Sequence, residues 1–261
     1  MSEVAAFARL AERLADAARP ITLAHFRAGV AYDVKADTSP VTVADREAEA
    51  VMRAMITDAC PAHGILGEEH GAEHLDASYV WVLDPIDGTK SFVTGKPLFG
   101  TLIALLRDGR PIVGIIDMPA LNERWVGVQG RPTLFGGREV RVRACADPGH
   151  AWLYATSPQM FGAGDAAAFE RLRSSCYAAV WGADLYAYGL LASGRVDLVC
   201  EGSLQPYDYC ALVPVIEGAG GIGGVWKFRT TSYNSVVGIL STLSFLRSVT
   251  GGPLANIPLA M

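Results

Sequence analysis

The sequence has no long hydrophobic run. Its longest apolar stretches, such as Thr101–Leu106 and Ile112–Ile116, are the length of a β-strand and far short of the roughly 20 residues that span a bilayer. The segment Met1–Arg19 carries acids and bases throughout and lacks the apolar centre of a signal peptide. These absences predict a protein with no membrane partner.

A surplus of basic residues is also missing. Lysine and arginine number 22 against 27 aspartates and glutamates, so the formal net charge is −5. Proteins that bind nucleic acid usually show a basic surplus or a basic stripe. The sequence has neither, and no nucleic-acid partner is expected.

Paired cysteine motifs are absent as well. The five cysteines are odd in number and show no CxxC spacing; they are Cys60, Cys145, Cys176, Cys200 and Cys210. This usage is typical of thiols in a reducing compartment. We therefore predict a cytoplasmic protein.

What the chain does contain is a large apolar fraction, 51% of its 261 residues. A chain of this length buries about 70–75% of its unfolded surface, so a substantial core is expected. Apolar residues at helical spacing predict an amphipathic helix over Val4–Ala18, which Pro20 kinks or ends. A second helix is predicted over Thr42–Cys60, with Thr42 as its N-cap.

The two halves of the chain show different patterns. A strand at Tyr79–Leu83 and later apolar runs predict a largely antiparallel sheet over residues 79–143. The later strands are predicted at Gly100–Leu106, Ile112–Met118, Arg124–Val128 and Val140–Val142. After residue 150, strands and helices alternate as in an α/β unit.

The segments of this second unit can be bounded from the pattern. The predicted strands are Trp152–Thr156, Ala178–Val180, Asp197–Cys200 and Ser235–Leu240, and the predicted helices are Ala166–Ser174, Gly182–Ser193 and Tyr207–Gly218. No repeat or linker separates the halves. We expect a single globular domain with two lobes, about 1–145 and about 146–261.

The densest chemistry lies in Asp84-Pro85-Ile86-Asp87-Gly88-Thr89, directly after the strand at Tyr79–Leu83. Two carboxylates and the exposed carbonyl of Ile86 at a strand end suit a hard divalent cation. Gly88 lets backbone approach a ligand closely, and a helix opening after it would present free N–H groups to a phosphate. Taken alone, the same pattern is more often an ordinary turn.

Other acids stand at the ends of other predicted elements. Glu68 lies in Gly67-Glu68-Glu69, Asp45 lies near the start of the second helix, and Glu201 and Asp208 flank residues 204–207. Each acid at a helix start is, by itself, more often a cap or a partner of the helix dipole. Considered together with Asp84-Pro85-Ile86-Asp87, they indicate a cluster of carboxylates.

In this order and at this spacing, the segments resemble the inositol monophosphatase superfamily. The resemblance runs from about Ala5 to Gly221 and is carried by Val41–Glu49, Gly67-Glu68-Glu69, Asp84–Thr89, Tyr207-Asp208 and Glu217–Gly221. It implies an α+β fold, a layered α-β-α-β-α sandwich with an antiparallel sheet in the first half and a smaller mixed α/β sheet in the second. It also implies a homodimer.

The resemblance implies a metal-dependent phosphomonoesterase that uses two or three Mg²⁺ ions. The ligands it implies are Glu68, Asp84, Asp87, Asp208 and the carbonyl of Ile86. Four carboxylates gathered around a phosphate dianion would repel it strongly without divalent cations. The cations would therefore belong to the active state.

The resemblance also implies how the ester is cleaved. Thr89 and Asp45 would orient and deprotonate a metal-activated water, and Glu68 is counted with them as a catalytic residue. The N–H groups of Gly88 and Thr89 would hold the phosphate. Attack would be direct and in line, with no phosphoenzyme.

Within the superfamily, the likeness is closest to the histidinol-phosphate phosphatases, through Lys90–Leu106, Leu121–Trp125 and Leu204–Asp208. Histidinol phosphate carries a cationic amine and an imidazole, so Asp184 would be a substrate contact and Glu201 a second one. The alternative for Asp184 is an acid in the first turn of a helix.

The expected substrate is thus a small phosphorylated metabolite, L-histidinol phosphate of histidine biosynthesis. Inositol 1-phosphate or 3′-phosphoadenosine phosphate is the alternative. A homologue that binds metal or ligand without catalysis is less expected, because every implied ligand position carries the residue that the superfamily pattern requires.

The last part of the chain supports no further site. Residues 218–223 match G-x-G-x-x-G, but a predicted helix precedes them and no acid follows, so a dinucleotide site is not expected. After Gly221 the resemblance thins, and Val225 stands where the superfamily has an acid.

Overall fold

The structure is a computed structural model that describes residues 3–29, 32–34, 40–222, 225–226 and 235–239. In the first half these residues form three helices, α1 (Glu3–His25), α2 (Val43–Ala59) and α3 (Thr89–Val93). The strands of this half are β1 (Tyr32–Val34), β2 (Pro40–Thr42), β3 (Gly64–Gly67), β4 (Gly71–Glu73), β5 (Tyr79–Asp87), β6 (Gly100–Arg107), β7 (Arg110–Met118), β8 (Glu123–Val128), β9 (Leu134–Phe135) and β10 (Arg138–Glu139).

The described part of the second half alternates strands and helices, as predicted. Its helices are α4 (Ala163–Ser175), α5 (Leu185–Ala192), α6 (Pro206–Tyr209) and α7 (Leu212–Gly218). Its strands are β11 (Trp152–Ala155), β12 (Ala178–Trp181), β13 (Leu198–Gly202), β14 (Val225–Trp226) and β15 (Ser235–Ile239). Leu240, the last residue of the strand predicted at Ser235–Leu240, lies outside the described residues.

Strands β3 to β10 form one eight-stranded sheet in the order β10-β9-β8-β7-β6-β5-β3-β4. Its neighbouring strands are antiparallel except β3 and β5, which are parallel. The predicted antiparallel sheet of the first half is confirmed. The parallel pair brings the ends of β3 and β5 to the same edge of the sheet.

Alternation along β5 explains why helices cover both faces of this sheet. Trp81 and Leu83 pack with the buried residues of α1 and α2, whereas Val80 and Val82 pack with those of α5 and α7. Successive side chains of a strand point to opposite faces. A strand that is apolar at every position is therefore buried on both sides.

The second sheet has five strands in the order β12-β11-β13-β15-β14 and mixes parallel with antiparallel pairs. Phe169 and Leu172 of α4 pack with Leu153 and Leu198 on one face, and Val199 joins the core of α5 and α7 on the other. The layers are thus α1 and α2, the large sheet, α5 and α7, the small sheet, and α4. The predicted α-β-α-β-α sandwich is confirmed.

Two predicted boundaries are wrong for reasons of hydrogen bonding. Val140–Val142 forms no strand, because the Val140 N–H donates to the Thr133 carbonyl and the Val142 N–H donates to the Ala219 carbonyl at the end of α7. The helix predicted over Tyr207–Gly218 is broken into α6 and α7. Pro214 then lies in the first turn of α7, where its missing N–H removes no helical bond.

The first helix also differs from prediction, since α1 continues through Pro20 to His25. Tertiary contacts on both sides of the proline accompany this continuation. Arg19 binds the buried carboxylate of Asp117, and Thr22 is completely buried. Among the described helices, none is both long and apolar enough to cross a membrane. The two-lobe division remains a prediction.

Candidate active site

The end of β5 places two carboxylates on one side of the sheet. Asp84 pairs with Leu102 of β6, Asp87 pairs with Gly100, and the register shifts between them. Residues three apart in a regular strand face opposite sides, but a bulge re-aims one of them. Carboxylate oxygens of Asp84 and Asp87 consequently lie within 4.8 Å of each other.

The third carboxylate of this group comes from α6. Asp208 lies in the first turn of that helix, and one of its oxygens accepts the Gln205 N–H at 2.6 Å. A ligand oxygen of Asp208 also lies within 4.8 Å of those of Asp84 and Asp87. The hydrogen bond at the start of α6 thus fixes the orientation of Asp208. Helix α6 packs against β5, and this packing brings Asp208 beside Asp84 and Asp87.

Electrostatics in this group disfavour ionisation. Burial raises the pKa of Asp84 well above its usual range, and the negative charges of Glu68, Asp87 and Asp208 raise it further. Burial also raises the pKa of Asp87, with the charges of Asp184, Asp208 and Glu201 adding to the effect. A positive charge beside such a cluster would favour its ionised form.

Asp45 and Glu68 approach the group from α2 and from the end of β3. Thr42 caps α2 as predicted, and its N–H donates to Asp45 Oδ2 at 2.8 Å. Burial, followed by the charges of Glu69 and Glu68 and against the hydrogen bonds from Thr42, raises the pKa of Asp45 to about 6. Asp45 is therefore a buried acid whose neighbours are acids.

The donor set fits divalent cations. Asp84 Oδ1 and Asp45 Oδ1 are buried and have no hydrogen-bond partner within the described part of the chain. Buried polar atoms are normally satisfied, and hard cations prefer carboxylate oxygens as ligands. Among the described residues, Asp84, Asp87 and Asp208 form the group that could hold such an ion, with ligand atoms within 4.8 Å of one another.

The turn after β5 is shaped for close approach. Gly88 has a left-handed backbone, with φ of 79°, and precedes the five-residue helix α3. A Cβ at Gly88 would lie 2.9 Å from the Leu98 carbonyl oxygen and 3.3 Å from Asp184. The Thr89 hydroxyl donates to the Ile86 carbonyl at 3.0 Å, whereas Asp45 is bound to Thr42. Thr89 and Asp45 therefore each have a separate anchor.

Asp184 lies directly against this turn. It precedes α5 with a φ of 46°, a strained conformation for a residue with a side chain. Its Oδ2 accepts the Ser91 hydroxyl at 3.0 Å. Burial raises the pKa of Asp184, although Ser91 and the charges of Lys96 and Lys90 oppose the shift. The helix predicted from Gly182 begins at Leu185, whose N–H donates to Asp87 Oδ2 at 2.8 Å.

Glu201 of β13 is a further acid, close enough to Asp87 and Asp184 for their charges to interact. Its Oε1 accepts the Thr156 N–H at 3.0 Å, and its Oε2 accepts the Tyr188 hydroxyl at 3.2 Å. Burial raises the pKa of Glu201 to about 6, against the hydrogen bonds from Thr156 and Tyr188. The Thr156 hydroxyl also donates to Glu201 Oε1, and Thr156 lies close enough to Asp184 to lower the pKa of that carboxyl. Thr156 therefore links the two acids.

Sequence reasoning missed three residues that bind the acids of the site or the turn after β3: Ser91, Thr156 and Glu49. Thr156 directly follows β11. A position at the end of a strand is the signal that pointed to the acids, so the same signal could have pointed to Thr156. Glu49 is one helical turn after Asp45, so helical spacing would have placed the two on the same face of α2. Ser91 carried no signal, because its partner Asp184 is 93 residues away.

Comparison with known proteins identifies the architecture. The sequence profile of the inositol monophosphatase family matches residues 3–245. The chain belongs to this family. Phosphatases of this family act on small phosphorylated substrates and generally use Mg²⁺.

Two family relatives have high sequence similarity. "Bifunctional phosphatase IMPL2, chloroplastic" from Arabidopsis thaliana is 50% identical over 227 residues, which cover 86% of this chain and 66% of the plant protein, just under two thirds of it. A protein named "Histidinol-phosphatase" from Mycobacterium tuberculosis is 37% identical over 236 residues, which cover 88% of each chain.

A solved structure of the family matches nearly the whole fold. The structure of an inositol monophosphatase from Zymomonas mobilis superposes with a TM-score of 0.85, at 44% sequence identity, over 96% of this chain and 98% of that chain. The relatives of this chain are thus named in two ways, as histidinol-phosphatase and as inositol monophosphatase.

Proposed function

We propose that this family member is a Mg²⁺-dependent phosphomonoesterase that hydrolyses L-histidinol phosphate to L-histidinol and phosphate. The position of Asp184 is the observation that supports this substrate, because its half-buried carboxylate lies against Gly88, where the phosphate would bind. Glu201 adds a second carboxylate, which is buried and bonded to Thr156. Acids shielded from water beside a phosphate site suit a substrate that carries a cation near its ester.

The acidic group would hold the cations. When bound at Glu68, Asp84, Asp87, Asp208 and the Ile86 carbonyl, they supply Lewis acidity and neutralise phosphate charge. Asp45 would accept a proton from water at Oδ1, the buried oxygen that has no partner within the described residues.

Hydrogen bonds to neighbouring groups set the orientation of the other reacting residues. Asp45 Oδ2 is anchored on Thr42, and the Thr89 hydroxyl donates its hydrogen to the Ile86 carbonyl, which leaves its lone pairs for the water. The N–H groups of Gly88 and Thr89 would hold the phosphate for in-line attack without a phosphoenzyme. These contacts would hold the water and the phosphate ester in the orientation that in-line attack requires.

Phosphate release from L-histidinol phosphate by the purified protein, with Mg²⁺ or with EDTA, tests the proposal. We expect EDTA-sensitive release with kcat/KM at least 100-fold above that for inositol 1-phosphate, which corresponds to about 2.7 kcal/mol of transition-state discrimination. Faster hydrolysis of inositol 1-phosphate or 3′-phosphoadenosine phosphate would keep the metal site and remove this substrate.

Asp184→Asn tests the contact with the substrate cation. Asparagine keeps an acceptor for the Ser91 hydroxyl but loses the charge, so kcat/KM for histidinol phosphate should fall about 10-fold or more, since charged hydrogen bonds are worth roughly 1.5–3 kcal/mol. Hydrolysis of inositol 1-phosphate, which carries no cation, is the internal control. Equal losses on both substrates would argue against the contact.

The second candidate substrate is inositol 1-phosphate. It is favoured by the 44% identity to the Zymomonas mobilis inositol monophosphatase, which exceeds the 37% identity to the Mycobacterium tuberculosis histidinol-phosphatase. A role without catalysis is opposed by the complete set of implied residues at the site. By the same family likeness we propose a homodimer, which light scattering after size-exclusion chromatography would test.

A further inference from the structure

The turn that carries Glu68 is held by a carboxylate outside the acidic group. Glu49 of α2 is completely buried. Its Oε2 accepts the Glu69 N–H at 2.7 Å and its Oε1 accepts the His70 N–H at 3.1 Å. The two backbone donors that follow Glu68 are thus both bound by one side chain.

Arg53 extends this anchor by one helical turn. Its guanidinium donates to Glu49 Oε1 at 3.2 Å and to the Gly71 carbonyl at 3.0 Å. A further bond at 2.6 Å reaches Glu73 of β4. The side chains of α2 therefore bind the turn between β3 and β4 on both sides, and the Glu49 charge is compensated.

The fit between Glu49 and the turn is close. A Cβ at Gly67 would lie 1.9 Å from Glu49 Oε1 and 2.3 Å from its carboxyl carbon. Any side chain at Gly67 would displace either the carboxylate or the backbone immediately before Glu68. The glycine is required here for space, and the position of the turn is tied to that of Glu49.

Helix α2 also carries Asp45, four residues before Glu49 on the same helical face. The charges of Glu68 and Glu69 reach Asp45 closely enough to raise its pKa. One helix therefore positions the acid proposed to take the proton and, through Glu49, the turn that bears the proposed metal ligand Glu68.

We propose that Glu49 is a positioning residue that sets Glu68 for cation binding by holding the two N–H groups after it. The proposal rests on the proposed function, which assigns Glu68 to the metal site. A carboxylate suits this task because each oxygen accepts a backbone N–H and the charge strengthens both bonds. Glutamine would present an NH₂ group to one of the two donors.

Glu49→Gln in the full chain tests the proposal through Mn²⁺ binding, measured by electron paramagnetic resonance and calorimetry. Partners that orient metal ligands are worth 10–100-fold in metal affinity, so Mn²⁺ affinity should fall at least about 10-fold. The Mg²⁺ concentration for half-maximal activity should rise in parallel, and excess Mg²⁺ should restore most of kcat. KM for the phosphate ester at saturating Mg²⁺ should change less than about twofold.

Glu47→Gln is the matched control, because Glu47 lies on the same helix and its side chain is exposed. Among the described ion pairs, Glu47 contacts only His25. It should bind Mn²⁺ as the wild type does. Wild-type Mn²⁺ affinity and Mg²⁺ dependence in Glu49→Gln would overturn the proposal. So would a rise in KM without any loss of metal affinity.

A second variant covers the case in which Glu49→Gln does not fold. Arg53→Gln keeps the Glu49 carboxylate but removes its charged partner, so Mn²⁺ affinity should fall about three- to tenfold; unchanged affinity would overturn the proposal.

The proposed function and the proposed role of Glu49 would fail in different ways. A wild-type protein that binds no Mn²⁺ and hydrolyses no phosphate ester defeats the proposed function, whereas an active wild type with unaffected variants defeats only the role of Glu49.

Discussion

Two buried aspartates lie two strands apart on the large sheet and have opposite surroundings. Asp84 on β5 is 1% exposed and Asp117 on β7 is 0% exposed. Arg19 and Arg124 bind Asp117, each with a contact of 2.6 Å to Oδ1. Asp84 Oδ1 has no partner within the described residues, and the charges that act on Asp84 are those of acids.

The difference distinguishes a carboxylate that stabilises the fold, Asp117, from one that remains available to bind a ligand, Asp84. A buried charge is tolerated when it is paired and hydrogen-bonded. At Asp117 the fold supplies the cations, which also link α1 and β8 to β7. At Asp84 no side chain of the described residues supplies one, so a bound cation would provide the compensating charge. The comparison predicts opposite consequences for neutralising the two residues.

Asp84→Asn should cause the largest effect, and it should be on activity. Loss of a cation ligand should lower kcat/KM by on the order of 10³-fold, because Lewis-acid stabilisation is worth several kcal/mol. Thermal stability in EDTA should not fall, because asparagine does not titrate, whereas the ionised form of Asp84 is disfavoured by burial and by the neighbouring acids. Steady-state kinetics and thermal unfolding measure the two effects.

Asp58→Asn on the exposed end of α2 is the control for this substitution, since it removes an aspartate charge from the surface. It should leave both quantities unchanged. A strong loss of stability in metal-free Asp84→Asn would contradict the comparison, because it would show that the fold already compensates Asp84.

Asp117→Asn should reverse the pattern. Breaking a buried ion pair typically costs about 3–5 kcal/mol, so the free energy of unfolding should drop by about that amount while kcat/KM of the folded enzyme changes little. Denaturant unfolding measures the cost. A variant of wild-type stability with impaired catalysis would show that Asp117 serves the site rather than the fold.

Asp45→Asn should have a smaller effect that depends on pH. The pKa of Asp45 is raised from 3.8 to about 6 in the folded protein, so the folded state binds more protons than the unfolded state between these values. Stability therefore falls as pH rises through this range. In EDTA, the variant should match the wild type below pH 4 and exceed it by about 3 kcal/mol above pH 6.

Chemical denaturation of the metal-free proteins at pH 4, 5, 6 and 7 measures this difference. The variant should also lose activity with Mg²⁺ present, since Oδ1 could no longer take a proton. A stability difference that is the same at every pH would mean that the substitution acts on packing or on the α2 cap rather than on the charge.

Several elements could be predicted because their causes are local. The Thr42 cap, the apolar strand that precedes Asp84 and the antiparallel order of β5 to β8 follow from residues adjacent in the chain. The acids at strand ends and helix starts were recognised in the same way. Residue type and spacing thus sufficed for the sheet and for the acidic candidates.

The wrong or missing predictions have distant causes. Val142 bonds to Ala219 rather than to a strand, and Asp184 adopts its strained backbone beside Gly88 and Ser91, more than 90 residues away. Glu49 looked like one of several acids on an amphipathic helix. Only its burial against the turn after β3 shows what it binds.

The sequence by itself determined which carboxylates, hydroxyls and glycines the protein has, and which strand or helix end presents each of them. The tertiary structure decided which of these groups receive a partner. Asp117 obtains two arginines and Glu49 obtains one, whereas Asp84 is left among acids. The physical reason is that backbone preference acts over a few residues, whereas the compensation of a buried charge depends on whichever distant side chains the packed layers bring beside it.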